Sequence, residues 1–256
     1  MSHAKHLLEA KFPGIYVRAM EIGNGYIDSL FWSVGVQVKE FCKAAKLDPK
    51  LAGGFNLIGF SQGGMITRGY IERCNDPPVL NYISWVAPQM GIYGVPYAGS
   101  ISYLNTTLDA IVECCIYSEW VQNRISFAGY WKDPYDMATY TKNSLYLPDI
   151  NNERATKNGQ YKANILALKN FALVYSTADK VLIPKETGWF GFFAENSTDS
   201  IVPLEQTPLY QEDWIGLRTL DRTGRLHRFK STCDHEDYYS HCFNYHFAAY
   251  VFPLLR

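Results

Sequence analysis

Hydrophobic and polar positions along the chain fall into short apolar runs separated by stretches of helical period. Residues 1–12, MSHAKHLLEAKF, place apolar side chains three and four apart and read as an amphipathic helix. Residues 14–20, rich in apolar and β-branched side chains, read as a strand. A helix follows over 27–45, with Leu30, Phe31, Val34, Val38 and Phe41 on one face, and Asp48-Pro49 marks the loop after it. Phe55-Asn56-Leu57-Ile58 reads as a strand, residues 65–73 as a helix, and residues 80–86 as the next strand, entered through Pro77-Pro78. This alternation calls for a mostly parallel sheet with helices on its faces, an α/β fold. From 87 to 169 the alternation fails, and Tyr, Pro, Gly and Asn dominate around helices predicted near 108–128 and 161–168. The run Asn170-Phe171-Ala172-Leu173-Val174-Tyr175 has the continuous apolar character of a buried parallel strand. A last strand at 226–229 precedes an aromatic helix over 238–255. The expected organisation is a core formed by 1–86 and 170–256, carrying an insertion at 87–169.

Between the strand at 55–58 and the helix at 65–73 stands Gly59-Phe60-Ser61-Gln62-Gly63. A G-x-S-x-G string arises by chance in roughly one chain of this length in ten, so the string alone decides little. Its setting decides more. Strand, tight turn and helix with a serine at the apex is the nucleophile elbow of the α/β-hydrolase fold. There small residues let the turn close, and the helix N-terminus aims backbone N–H groups at a developing oxyanion. The elbow proposes acyl transfer to water, with Ser61 as nucleophile and the Gln62 N–H as oxyanion donor. The bland alternative is an ordinary strand-to-helix turn.

A serine nucleophile needs a base and an orienting acid, and in this fold both follow it in the chain, acid first. Asp179 lies three residues beyond the strand at 170–175, at the sheet edge where sites gather. Asp133 and Asp149 fall in the insertion, and Asp221 belongs to an Asp-Arg-Thr-Gly turn. Of the histidines downstream, His227 is within a strand and His241 and His246 are within the last helix. His235 occupies the loop between them, from which an imidazole can reach back to Ser61. Asp234 is a rival acid, although an adjacent carboxylate seldom meets the far nitrogen of its neighbour's ring.

A net charge of −1 gives no field for nucleic acid, and no run of eighteen apolar residues spans a membrane. Residues 1–12 lack the apolar region and small-residue cleavage site of a signal peptide. Nineteen tyrosines, fourteen phenylalanines and six tryptophans suit apolar clefts as well as a core. Six cysteines show no metal-ligand spacing, so neither a metal nor another cofactor is expected. Asn105 and Asn196 head glycosylation sequons, meaningful if the chain enters the secretory route.

At Gly59-Phe60-Ser61-Gln62-Gly63-Gly64, Asp149-Ile150-Asn151 with Glu153-Arg154, Trp189-Phe190-Gly191-Phe192, and Asp234-His235, the chain resembles the palmitoyl-protein thioesterases. Pro13 to Val17, Glu21-Ile22-Gly23, Pro203-Leu204 and Leu209-Tyr210 extend the likeness over nearly the whole chain. These are lysosomal α/β-hydrolases that remove long-chain fatty acyl groups from protein cysteines. The resemblance implies a catalytic aspartate before the Trp-Phe-Gly-Phe string, here Asp179, and a histidine in an Asp-His near the C-terminus, here His235. It also implies a disulfide between Cys42 and Cys74, no cofactor, a lysosomal or secreted location, and S-palmitoylated proteins or peptides as substrates. Val181, Leu182, Ile183 and Trp189, with apolar residues of the insertion, are the expected acyl-chain contacts. Cys233 and Cys242 have no family counterpart and are candidates to pair. The family's first strand ends in a His-Gly loop that supplies a second oxyanion donor, and this chain is expected to be an N-terminal truncation of that pattern. A carboxylesterase or lipase, an acyl-CoA thioesterase, and an impaired hydrolase-fold binding protein remain the alternatives.

Overall fold

The computed structural model describes residues 2–94, 110–112 and 114–255. Its strands are β1 (Phe55–Phe60), β2 (Val79–Trp85), β3 (Asn170–Ser176), β4 (Phe192–Phe193), β5 (Ile201–Val202) and β6 (Leu226–Ser231). Four of them form an all-parallel sheet in the order β1-β2-β3-β6, with Ile58 beside Ile83, Ile83 beside Ala172 and Ala172 beside His227. The two central strands are almost wholly buried, which is why they read as unbroken apolar runs. The short strands β4 and β5 form a separate antiparallel pair. The α/β class expected from the sequence is the class observed.

The first helices are α1 (Ser2–Lys11), α2 (Tyr26–Phe31), α3 (Val34–Lys46) and α4 (Gln62–Arg73). The single helix expected over 27–45 is therefore two. Ser33 takes the N-cap position of α3, and the Gln37 side-chain amide donates to the Trp32 and Ser29 carbonyls at 2.7 and 3.2 Å. Those bonds satisfy carbonyls at the end of α2 that a continuous helix would have bonded internally. The helix expected over 238–255 begins at His241, where the Ser240 hydroxyl accepts from the Phe243 N–H, and ends at Tyr250, ahead of Pro253.

Residues 14–20 do not form the expected strand. A strand exists only with a backbone partner, and among the described residues β1 pairs with β2 alone. The segment is instead tied down by side chains: the Tyr16 hydroxyl donates to Asp48 at 2.7 Å, and Arg18 pairs with the same carboxylate at 2.8 Å. A cavity of about 450 Å³ is lined by Ile15, Val17 and Met20 and by the residues of β1.

Residues 87–169, the expected insertion, are more finely divided than the sequence pattern suggests. Within 108–128, the described residues 110–112 and 114–115 are helical, a short helix follows at Glu119–Gln122, capped by Ser118, and a 3₁₀ turn begins at Phe127 and runs to Tyr130. Helices at Met137–Asn143 and Leu147–Ile150 were not anticipated, whereas the helix expected at 161–168 is present as Gly159–Leu166, capped by Asn158. This segment is bolted to α4. The Tyr146 hydroxyl donates to the Met65 carbonyl, Arg73 pairs with Asp149 at 2.7 Å, and the Asn164 amide donates to the Glu72 carbonyl. Two motif residues of the resemblance have the same structural character: Glu153 receives Lys132 and Tyr140, and Arg154 donates to the Thr141 and Ser144 carbonyls.

Candidate active site

Ser61 stands at the junction of β1 and α4 with φ +50 and ψ −129, a conformation that non-glycine residues rarely adopt. Its N–H donates to the Trp85 carbonyl of β2, and its own carbonyl accepts from Gly64. Close packing of helix on strand makes the turn possible. A Cβ on Gly59 would lie 2.2 Å from the Thr67 hydroxyl and 2.6 Å from the Gly64 Cα, and one on Gly64 would lie 2.3 Å from the Ala87 Cβ. By contrast, a Cβ on Gly63 would meet nothing within 4 Å, so Gly59 and Gly64 are the sterically required members of the string.

Gln62 opens α4, and its N–H is among those that a helix leaves without an intrahelical acceptor. Its side chain is clamped on both sides. The amide nitrogen donates to the Ser29 carbonyl at 2.7 Å, and the amide oxygen accepts from the Tyr130 hydroxyl at 2.9 Å. Ser29 and Tyr130 thereby orient the elbow from the α2 side and from the insertion. Sequence inspection did not single them out, because no local pattern links three segments so far apart in the chain.

The other two residues arrive from the ends of β3 and β6. Asp179 follows β3 after a tight turn, and its Oδ1 accepts from the Val181 and Leu182 N–H groups at 2.9 and 3.0 Å. Its Oδ2 meets the Nδ1 of His235 at 2.7 Å, and the Nε2 of His235 meets the Ser61 Oγ at 2.9 Å. Asp179 and His235 are both buried. A carboxylate that can only accept fixes the imidazole with its proton on Nδ1, leaving the Nε2 lone pair toward the serine hydroxyl. The structure thus brings Ser61, His235 and Asp179 into one hydrogen-bonded chain. Asp234 is exposed and takes no part in it.

Of the expected acyl contacts, Leu182 is buried, Val181 half-buried and Ile183 exposed. The Ile183 carbonyl accepts from the Tyr93 N–H, and its side chain packs on Gly94 at the start of the insertion. Trp189 has a different setting: its indole N–H lies between the Leu173 and Phe229 carbonyls, 3.2 Å from each, and its ring tilts against Tyr175. It braces β3 against β6 beneath the site. Asn196 is exposed on the turn between β4 and β5, and Asn105 lies outside the described residues.

Cys42 is joined to Cys74, tying α3 to the end of α4, and Cys233 is joined to Cys242. Cys114 and Cys115 form a third pair. One group among the described residues, Cys233, Cys242 and His246, has its ligand atoms within 4.8 Å of one another. Its two sulfurs are bonded to each other, so it offers a metal no thiolate. Among the described residues, no helix is long and apolar enough to cross a membrane.

The model of the family "Palmitoyl protein thioesterase" matches residues 1–235. "Palmitoyl-protein thioesterase 3" of Dictyostelium discoideum is 45% identical over 258 residues, covering 100% of this chain and 87% of that protein. "Palmitoyl-protein thioesterase 1" of Caenorhabditis elegans is 36% identical over 92% of the chain and 80% of that protein. "Lysosomal thioesterase PPT2" of Homo sapiens is 32% identical over 88% and 74%.

Proposed function

The chain belongs to the palmitoyl protein thioesterase family, and on that premise we propose that it hydrolyses long-chain fatty acyl thioesters of protein or peptide cysteines, using Ser61, His235 and Asp179. The observation that carries this reading is the continuous contact from Asp179 through His235 to Ser61 at a strained elbow. His235 Nε2 takes the proton from the Ser61 hydroxyl as its oxygen attacks the thioester carbonyl. The Gln62 N–H faces the oxyanion, and Asp179 stabilises the imidazolium that forms. Collapse of the tetrahedral intermediate expels the cysteine sulfur, which receives the proton from His235, and leaves an acyl group on Ser61. Water, deprotonated by the same nitrogen, then attacks the ester, and His235 returns that proton to the departing Ser61 oxygen as the fatty acid is released. A thiolate is a good leaving group, so this sulfur needs less help from an acid than an amine would.

Residues 181–183 are assigned to the acyl chain. Two of their N–H groups hold Asp179, and Ile183 turns an exposed apolar side chain toward Gly94. Trp189 supports that loop's strand from below. A lysosomal or secreted location is part of the proposal: three disulfides suit an oxidising compartment, and Asn196 is placed to accept a glycan. The experiment compares hydrolysis of a palmitoyl-cysteine peptide, palmitoyl-CoA and a palmitoyl carboxylic ester. Faster turnover of the peptide thioester is expected, and preference for the carboxylic ester would favour an esterase instead.

A further inference from the structure

We infer that the Cys233–Cys242 disulfide is a positioning device for His235, an inference that rests on the catalytic role proposed for that histidine. The bond links residues nine apart, and His235 lies inside the ring it closes. Cys233 is buried two residues after the end of β6, and Cys242 is in the first turn of the helix His241–Tyr250. Between them, residues 234–240 form no helix or strand, and Asp234, Glu236 and Tyr239 are exposed. Apart from local turn bonds, the loop is held by the imidazole itself, by Tyr238, whose ring meets Phe60 and Phe243 edge-on, and by the exposed Tyr239, whose ring tilts against His3 of α1.

At its first cysteine, the same ring is fastened to the strand that leads to the acid. The Ser176 hydroxyl, at the end of β3, donates to the Cys233 carbonyl and accepts from the Ala178 N–H, in the turn that carries Asp179. The Cys233 N–H donates to the Ser231 hydroxyl at 3.1 Å. The disulfide therefore joins two fixed points, one bound to the β3 turn and one in a helix whose Phe243 and Phe247 are buried against the core. With both ends fixed, residues 234–240 sample few conformations, and the Nε2 of His235 stays within reach of Ser61. Without the bond, the second end of the ring is held only through the helix. Misplacing a catalytic group by about 1 Å costs on the order of 10²-fold in rate. Cys42–Cys74 is the internal contrast: it ties α3 to α4 at the end remote from Ser61 and encloses no triad member other than Ser61, which β1 and α4 already fix.

The test compares Cys233→Ala/Cys242→Ala with Cys42→Ala/Cys74→Ala for melting temperature, kcat, KM and the pH profile of kcat/KM on a palmitoyl-cysteine peptide. The 233/242 variant is expected to lose about 10²-fold in kcat with KM little changed, and to show a displaced acidic limb in the pH profile. The 42/74 variant is expected to lose melting temperature while keeping most of its kcat. Should either variant fail to fold, the unaltered protein is treated with graded amounts of a phosphine. Each equivalent reduces one disulfide to two thiols and takes up the oxygen of one water, and the phosphine spares the thioester that a thiol reductant would cleave. Differential alkylation then reports each disulfide, and activity should track Cys233–Cys242. Undiminished kcat in the 233/242 variant, or activity that tracks Cys42–Cys74, overturns the inference. Full activity in His235→Ala would instead overturn the catalytic reading on which it rests.

Discussion

On the side of Ser61 that carries Asp179 and His235, strands β3 and β6 pair in parallel from Phe171 and Leu226 to Ser176 and Ser231, both of those side chains are buried, and each polar atom of the chain of contacts has a partner within 3.0 Å. On the side of β1 away from β2, residues 14–22 run past without forming a strand, and a cavity of about 450 Å³ lies between them and β1. The same serine thus has one flank packed like a protein interior and one flank held by side chains such as Tyr16 and Arg18 on Asp48. Function and stability should both be more sensitive on the first flank. Precision in an active site comes from groups whose neighbours leave them no alternative position.

The largest expected effect is on the packed flank. Asp179→Asn preserves the shape but presents a donor to Nδ1, which favours the wrong imidazole tautomer, and kcat should fall by about 10⁴-fold. A loss of less than tenfold would mean that Asp179 does not orient His235. Next is a pair of truncations. Leu173→Ala in β3, fully buried, should cost about 2–5 kcal/mol of stability, whereas Val17→Ala beside the cavity should cost under about 1 kcal/mol, both read by denaturant unfolding. Equal costs would erase the contrast between the flanks.

A smaller effect comes from the end of α4 remote from Ser61. Burial lifts the Glu72 carboxyl of α4 from 4.5 to about 8, outweighing the attraction of Arg68 beside it. The folded state therefore keeps a proton that the unfolded chain releases near 4.5. Its stabilising contribution is complete below that pH and is lost as pH rises through about 8. Melting temperature should decline over that interval, and Glu72→Gln should flatten the decline. A profile unchanged by that substitution would show that Glu72 is ionised in the fold.

The two flanks also differ in how far the sequence revealed them. The contact of Ser61, Asp179 and His235 was legible because each follows a strand that the sequence locates, β1 and β3 by their apolar runs and β6 by its place before the last helix. Cys42 and Cys74 were legible only through the family resemblance, since nothing in their spacing names a partner. Residues 14–20 misled for a physical reason: β-branched content measures fitness for a pleated surface, and the partner that makes a strand is a non-local fact. The break at Trp32 and Ser33 was hidden because Gln37, the residue that makes it tolerable, sits inside an otherwise regular helical pattern. The orienting contacts of Gln62 with Ser29 and Tyr130 were invisible for the same non-local reason.

The most direct test of the central claim is to trap the covalent intermediate. The protein is mixed with a palmitoyl-cysteine peptide, quenched with acid during turnover, and mapped by peptide mass spectrometry. One palmitoyl group is expected on the peptide that contains Ser61, and both adduct and turnover should vanish in Ser61→Ala. An acyl group carried by another residue, or hydrolysis at the original rate in Ser61→Ala, would contradict the account.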